Sequence, residues 1–429
     1  MISILQNFNN EDIIITQDDL KLTKKFFEKY SDYISYLVQN TIPEDAVVGI
    51  KSDNNALGLA LIIGVIKSGR NALPLSLFNE GPVNDYLISN TGCEHFIGYG
   101  TDIDHSIITN FEEVDFNNTN YGGVIGSSSG STGLPKITLS TPVYESSDDI
   151  IKSRNMIISR IGEGYNKVFY SPPMMSGCMV YFYMWLYGIS IYATNQRPST
   201  ELINKIISEN NIKMISLRPT MIDRLISEGA NSISNAEIIV TSGAPITETQ
   251  IDYCSRLLGI KHILDFYATT EAGVLAVRDA TLEKEFELFP EIAIKSYSED
   301  GVVFDNKQII GFWDDKKFKK TNIRFVDDVV ECQDNRIKLL GRKSKKIKVS
   351  GFSVPSELVR QSALKVSGIK DCKVFAEGDK NSSDILKLEY TGQNLDSNKI
   401  IDAISNDLPF YCIPKKIQYT PQDYWGITK

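Results

Sequence analysis

Between residues 46 and 75 the chain is committed to a parallel sheet. Ala46-Val-Val-Gly-Ile50 has the β-branched density of a strand, Asn54 to Lys67 reads as a helix closed by Gly69, and Asn71-Ala-Leu-Pro-Leu75 is a strand again. Parallel strands cannot be joined by a tight turn, so strand, helix and strand in this short span predict a βαβ crossover. The helix holds the longest apolar run, Ala56 to Ile66. That run falls short of the roughly 18 residues of a membrane-spanning helix, so a helix buried between layers is expected and no membrane span.

The same alternation recurs downstream. Helices are predicted over Gly177 to Tyr187, Glu201 to Asn210, Pro219 to Gly229 and Thr247 to Gly259, and strands at Val168-Phe-Tyr170, Met214 to Leu217, Ile238 to Thr241 and His262 to Tyr267. Upstream, apolar positions from Leu20 to Leu37 recur at three and four, which predicts an amphipathic helix from Asp18 to Gln39. Residues 285 to 340 carry short β-like runs such as Gly301-Val-Val-Phe304 and suggest a smaller barrel-like unit. Five cations within the eight positions Gly341 to Lys348 mark a polar hinge. Beyond it, helices over Ser356 to Val366 and Ser397 to Leu408 and strands over Cys372 to Ala376 and Leu386 to Tyr390 make a small α+β domain. At 429 residues the chain is too long for one ordinary core. The expected organisation is a 1–340 N-terminal domain of layered α/β subdomains plus a β-rich subdomain, and a 341–429 mobile α+β domain, with the hinge near 342–345.

The stretch hardest to explain as packing is Gly126-Ser-Ser-Ser-Gly-Ser-Thr-Gly-Leu-Pro-Lys136, three glycines and five hydroxyls ahead of one lysine, entered from the apolar Tyr121 to Ile125. Glycines let the backbone approach a ligand, successive N–H groups form a concavity for anions, and the hydroxyls and Lys136 complete a phosphate cage. The NTPase loop needs Gly-Lys-Ser/Thr opening a helix; Pro135 stands before the lysine and Ile137 after it, so that grammar fails. A flexible Gly/Ser linker is the bland alternative, but Thr-Gly-x-Pro-Lys after a strand favours phosphate.

Ser129-Gly130-Ser131-Thr132-Gly133-Leu134-Pro135-Lys136 resembles the phosphate loop of the adenylate-forming superfamily: acyl-CoA synthetases, peptide-synthetase adenylation domains and luciferases. Further partial motifs follow in that family's order. Asp265-Phe-Tyr-Ala-Thr-Thr-Glu271 is similar to its Tyr-Gly-x-Thr-Glu, with Ala268 in the glycine place; Ser242-Gly-Ala-Pro-Ile246 looks like its Gly-Gly-Ala-Pro-Leu turn. Asp328, in Arg324-Phe-Val-Asp-Asp-Val329, lies where Thr-Gly-Asp places a carboxylate, and Gly341-Arg-Lys-Ser-Lys-Lys-Ile-Lys348 resembles the interdomain hinge. In Pro421 to Lys429 the family's lysine place holds Ile427, and Lys429 is the nearest cation.

The resemblance implies a ligase that joins a small carboxylic acid to the α-phosphate of ATP, then passes the acyl group to the thiol of CoA or of a phosphopantetheinyl carrier protein. It also implies roles. Ser128, Ser129, Gly130, Ser131, Thr132, Gly133 and Lys136 would hold the phosphates, and Gly243, Ala244 and Pro245 would edge the adenine. Tyr267 would stack on the base while Asp265 accepts its amino group; Asp328 and Arg342 would meet the ribose. Glu271 would bind Mg²⁺, with Thr270, Lys348 and Lys429 in catalytic positions and Met174, Met175 and Ala268 lining the acid pocket. The absence of aspartate between Tyr170 and Gly177 points to an uncharged acid with an apolar body over an amino acid. Without a lysine at 427, an impaired nucleotide-binding homologue with a regulatory role is the alternative.

The balance of charge agrees with these expectations. A net charge of −9 argues against a general nucleic-acid binder. Three histidines and six scattered cysteines without Cys-x-x-Cys make a zinc site improbable, and a reduced, cytoplasmic protein is the expectation.

Overall fold

The computed structural model describes residues 4–52, 56–76, 82–98, 101, 114, 120–127, 135–142, 147–170, 178–194, 198–230, 232–342, 347–349, 352–354, 356–378 and 385–420. The chain divides into two compact units: residues 1–77, 88–126 and 137–343 form the larger, and 78–87, 127–136 and 344–429 the smaller.

The larger unit is an α/β assembly on an eleven-stranded and a seven-stranded sheet, with a three-stranded sheet beside them. In the seven-stranded sheet Val47–Ser52 runs parallel to Asn71–Ser76, Val47 opposite Asn71, as the crossover requires. The connecting helix Ala56–Lys67 is buried at ten of its twelve residues, so it is apolar all round rather than amphipathic. It packs on the helix Lys24–Thr41, where a Cβ on Gly64 would stand 2.6 Å from Ile34 Cγ2. Glycine therefore sets how closely these two helices approach.

The expected helix from Asp18 begins later. Leu20–Thr23 is a strand that pairs antiparallel with Ile13–Gln17, Asp18 taking φ 50° in the turn between them. Leu20-Lys21-Leu22-Thr23 alternates with period two, the strand signal. The helix starts at Lys24 because Thr23 Oγ1 accepts the Phe26 N–H at its N-terminus.

Five strands of the large sheet, Ser190–Ala193, Lys167–Tyr170, Met214–Ser216, Ile238–Ser242 and His262–Thr269, lie side by side and parallel. Their runs are near-continuously apolar because helices cover both faces. One such helix, Cys178–Leu186, is anchored by the fully buried Trp185, whose Nε1 donates to the Ile14 carbonyl at 3.0 Å and whose ring meets Phe27 edge-on. After Thr269 the chain doubles back antiparallel as Gly273–Asp279. The eight strands between Phe286 and Arg342 do not close into a barrel of their own. They are shared among all three sheets, with Ile309–Asp314 and Lys317–Lys320 extending the seven-stranded one.

The smaller unit contains helices Ser356–Leu364 and Ser397–Asp407 and a three-stranded sheet of Ile369–Glu377, Ile385–Gly392 and Lys416–Tyr419. Its α+β character matches the sequence reading, with the last strand added. Leu386, Leu388, Tyr390, Ile400, Ile404 and Cys412 form its interior. No helix among the described residues is long and apolar enough to cross a membrane.

Candidate functional site

The parallel strands of the large sheet all end at one edge, which is where open α/β sheets receive ligands. At that edge Ile238–Ser242 gives way to Gly243, whose φ of +87° turns the chain off the sheet. The turn is then pinned by a capping box: Thr247 Oγ1 accepts the Gln250 N–H at 3.2 Å, and Gln250 Oε1 accepts the Thr247 N–H at 2.9 Å. Gly243, Ala244 and Pro245 are therefore held between a strand end and a helix start. Their backbone forms a fixed rim.

On the next strand, an irregularity in pairing between Tyr267 and Ala268 re-aims the side chains near its end. Tyr267 is buried between Phe286 and Phe304, ring centroids 6.0 and 6.2 Å away. Its hydroxyl donates to Asp328 Oδ2 at 2.8 Å. Asp328 is itself buried and opens the strand Asp328–Gln333, where it stands opposite Arg342 in the antiparallel pair. Three residues singled out from separate motifs thus converge within one unit. Glu271 is also buried, at 4% exposure, in the turn that follows Thr269. Burial pushes the pKa of the Arg324 guanidinium below its usual range, and the charge of Glu271 opposes that shift.

Asp265 sits on the same strand, but its Oδ2 accepts from both Arg278 Nε at 3.0 Å and Nη2 at 2.8 Å. The carboxylate is thus already engaged by the adjoining strand, where Asp265 faces Arg278 directly. Burial raises its pKa to about 6, with Arg278 opposing the rise. Arg278 in turn lies over the Phe286 ring, 4.5 Å from its centroid. Hairpin register carries this pairing, and isolated motifs gave no sign of it.

Ser128 to Gly133 lie outside the described residues, as do Met174, Met175 and Lys429. The loop's flanks are described: Val124–Ser127 and Ile137–Ser140 are neighbouring strands of the seven-stranded sheet, with Pro135 buried and Lys136 half-buried just before the second. Arg342 and Lys348 fall in strands, Thr270 follows Thr269 directly into the Glu271 turn, and Ala268 is half-buried. Among the described residues no three His, Cys, Asp or Glu side chains cluster as a metal site.

Residues 124–296 match the family profile described as AMP-binding enzyme. That match spans the turn at 243–245, Tyr267 and Glu271. The chain is 24% identical over 307 residues to a putative long chain fatty acid-CoA ligase, VraA, of Staphylococcus haemolyticus, covering 68% of this chain and 65% of that protein. The chain thus spans just under two thirds of that curated relative. Among solved structures, o-succinylbenzoate CoA synthetase (MenE) of Bacillus subtilis superposes with a TM-score of 0.80 at 16% identity, covering 97% of this chain and 94% of that one. An artificially fused adenylation-PCP di-domain, NpsA-ThdA, of Klebsiella oxytoca gives 0.76 at 15% identity, covering 96% and 91%. These superpositions establish that the chain shares the fold of those proteins.

Proposed function

We propose that this chain is an ATP-dependent acid–thiol ligase. The observation that carries the reading is the Tyr267–Asp328 hydrogen bond at 2.8 Å, which joins two motif residues 61 positions apart at the carboxyl edge of the parallel strands. A buried carboxylate positioned by a phenol can accept hydrogen bonds from a ribose diol, for which charged acceptors are strong partners. The 243–245 turn, one strand over, would edge the base. Tyr267, packed by Phe286 and Phe304, would present its ring edge and its hydroxyl, and Asp265 would meet the base only with Arg278 attached.

Mg²⁺ fits the donor set. Magnesium is held by one or two carboxylates plus substrate phosphates rather than by an all-protein cage, and Glu271 is a single buried hard-oxygen donor. When bound, the ion would neutralise charge on the phosphates. The chain's own residues would do the rest. Ser128, Ser129, Ser131, Thr132 and Lys136 would hold the β- and γ-phosphates while a substrate carboxylate oxygen bonds to the α-phosphorus and the bond to pyrophosphate breaks. Lys348 and Lys429 are proposed to face the reacting groups, and Thr270 to assist Glu271. A thiol would then bond to the acyl carbon and release AMP. The acid would be small, against the wall that Ala268 narrows. The relatives' names support both acceptors: CoA in the Bacillus and Staphylococcus proteins and a carrier protein in the Klebsiella fusion.

The test is pyrophosphate release across a panel of carboxylic acids, with and without CoA. One or a few acids should stimulate release, and Lys136→Ala should abolish it. Tight ATP binding with no acid-dependent release would instead identify an impaired, regulatory homologue.

A further inference from the structure

The turn that presents Glu271 is held by three side chains to which the motif reading assigned no role. Thr269 Oγ1 accepts the Ala272 N–H at 3.0 Å. Asn306 Nδ2 donates to the Ala272 carbonyl at 2.7 Å, and Arg324 Nε donates to the Glu271 carbonyl at 3.1 Å. Gly273 leaves the turn at φ +79°, and a Cβ there would stand 2.9 Å from Asn306 Nδ2. Glycine is what admits the asparagine.

Both donors are fixed in their turn. Asn306 is fully buried, and its Oδ1 accepts the Gln308 N–H at 2.9 Å. Gln308 Oε1 takes the Tyr183 hydroxyl, and the Gln308 carbonyl takes the Thr141 N–H at 2.8 Å. The network thereby ties the Glu271 turn to helix Cys178–Leu186 and to the residue after strand Ile137–Ser140. Arg324 is 9% exposed and lies 3.8 Å above the Phe312 ring centroid, which sets the direction of its Nε–H.

Buried carbonyls need donors in any fold. Here two consecutive carbonyls are each met by a side chain from a different strand, which fixes the peptide planes on either side of Ala272 and with them the exit direction of the Glu271 side chain. A carboxylate that must meet a ligand is useful only if held to within about 0.5 Å. We propose that Asn306 and Arg324 are positioning residues that set the Glu271 carboxylate for the metal–nucleotide complex, with Gln308 and Tyr183 anchoring Asn306. The inference rests on the role proposed above for Glu271.

The test uses the full chain and Mn²⁺ as the probe, titrated by electron paramagnetic resonance in the presence of a non-hydrolysable ATP analogue. Wild type, Glu271→Gln, Asn306→Ala, Arg324→Lys and Tyr183→Phe are compared. Outer-shell partners of metal ligands are worth about 10- to 100-fold in affinity, so Asn306→Ala should weaken Mn²⁺ about tenfold. Tyr183→Phe, which keeps the buried shape, should weaken it by less. In pyrophosphate exchange, Asn306→Ala should raise the Mg²⁺ concentration for half-maximal rate while leaving the acid KM within about twofold, a split that loss of packing would not produce. If Asn306→Ala does not fold, Arg324→Lys and Tyr183→Phe carry the same comparison. Weak Mn²⁺ binding in Glu271→Gln but wild-type binding in the folded positioning variants overturns the inference alone. Wild-type binding in Glu271→Gln overturns the role of Glu271 and the inference with it.

Discussion

Replacing Arg278 with methionine should destabilise the protein most where Asp265 is charged. Burial holds the Asp265 carboxyl at about 6, against an ordinary 3.8, even with Arg278 beside it. At about 1.36 kcal/mol per pKa unit, that rise corresponds to roughly 3 kcal/mol of folding free energy lost above pH 6. The folded state has the higher pKa, so it holds the proton through the window from about pH 4 to 6, and this residue's contribution to stability declines as pH climbs through it. Without Arg278 the folded pKa rises further. The extra cost then grows above pH 6 by at most about 1.4 kcal/mol per pH unit, because the carboxyl can always take up a proton instead. At pH 8 the ceiling is about 3 kcal/mol, at the lower end of the roughly 3–5 kcal/mol typical of a buried pair broken on one side. Urea unfolding followed by tryptophan fluorescence at pH 5.5, 6.5, 7.5 and 8 measures it. Asp265→Asn combined with Arg278→Met should remove the pH-dependent part. A gap between wild type and Arg278→Met that is the same at pH 5.5 and pH 8 would refute the reasoning.

Two substitutions probe the site's scaffold. Tyr267→Phe removes one donor from the buried Asp328; a hydrogen bond to a charged group is worth about 1.5–3 kcal/mol, and urea unfolding should show a loss in that range together with a raised KM for ATP. Gly273→Ala places a side chain at φ +79° and against Asn306; about 1–2 kcal/mol should be lost from the left-handed backbone alone, visible as a lower Tm, with further loss from the displaced Asn306.

How far the sequence carried depended on whether the signal was local. The βαβ unit at 47–76 was legible because both strands and their buried helix lie within thirty residues. The α+β character of 356–420 was legible for the same reason. The helix expected from Asp18 was misplaced by one hairpin, because Leu20 and Leu22 fit a two-residue period as well as a helical one. The β-rich run after 285 was recognised as strands, but its distribution among three sheets depends on partners far away in sequence, such as Ile137–Ser140 beside Ile309–Asp314. Within the site, Tyr267, Glu271 and Asp328 stood out by motif. Arg278, Asn306 and Arg324 did not, since each acts through a cross-strand or turn contact that only the folded register creates. Asp265 shows the limit most plainly: the strand that carries it was legible, and its partner on the neighbouring strand was invisible.

The central claim is that Asp328, held by Tyr267, grips the nucleotide whose pyrophosphate an acid displaces. It is tested most directly by acid-dependent exchange of labelled pyrophosphate into ATP, comparing wild type with Asp328→Ala under conditions where both are shown to be folded. The account predicts exchange in wild type with at least one carboxylic acid, and a fall of at least about tenfold in kcat/KM for ATP in the variant, the loss of one charged hydrogen-bond acceptor. Exchange undiminished in Asp328→Ala would contradict it.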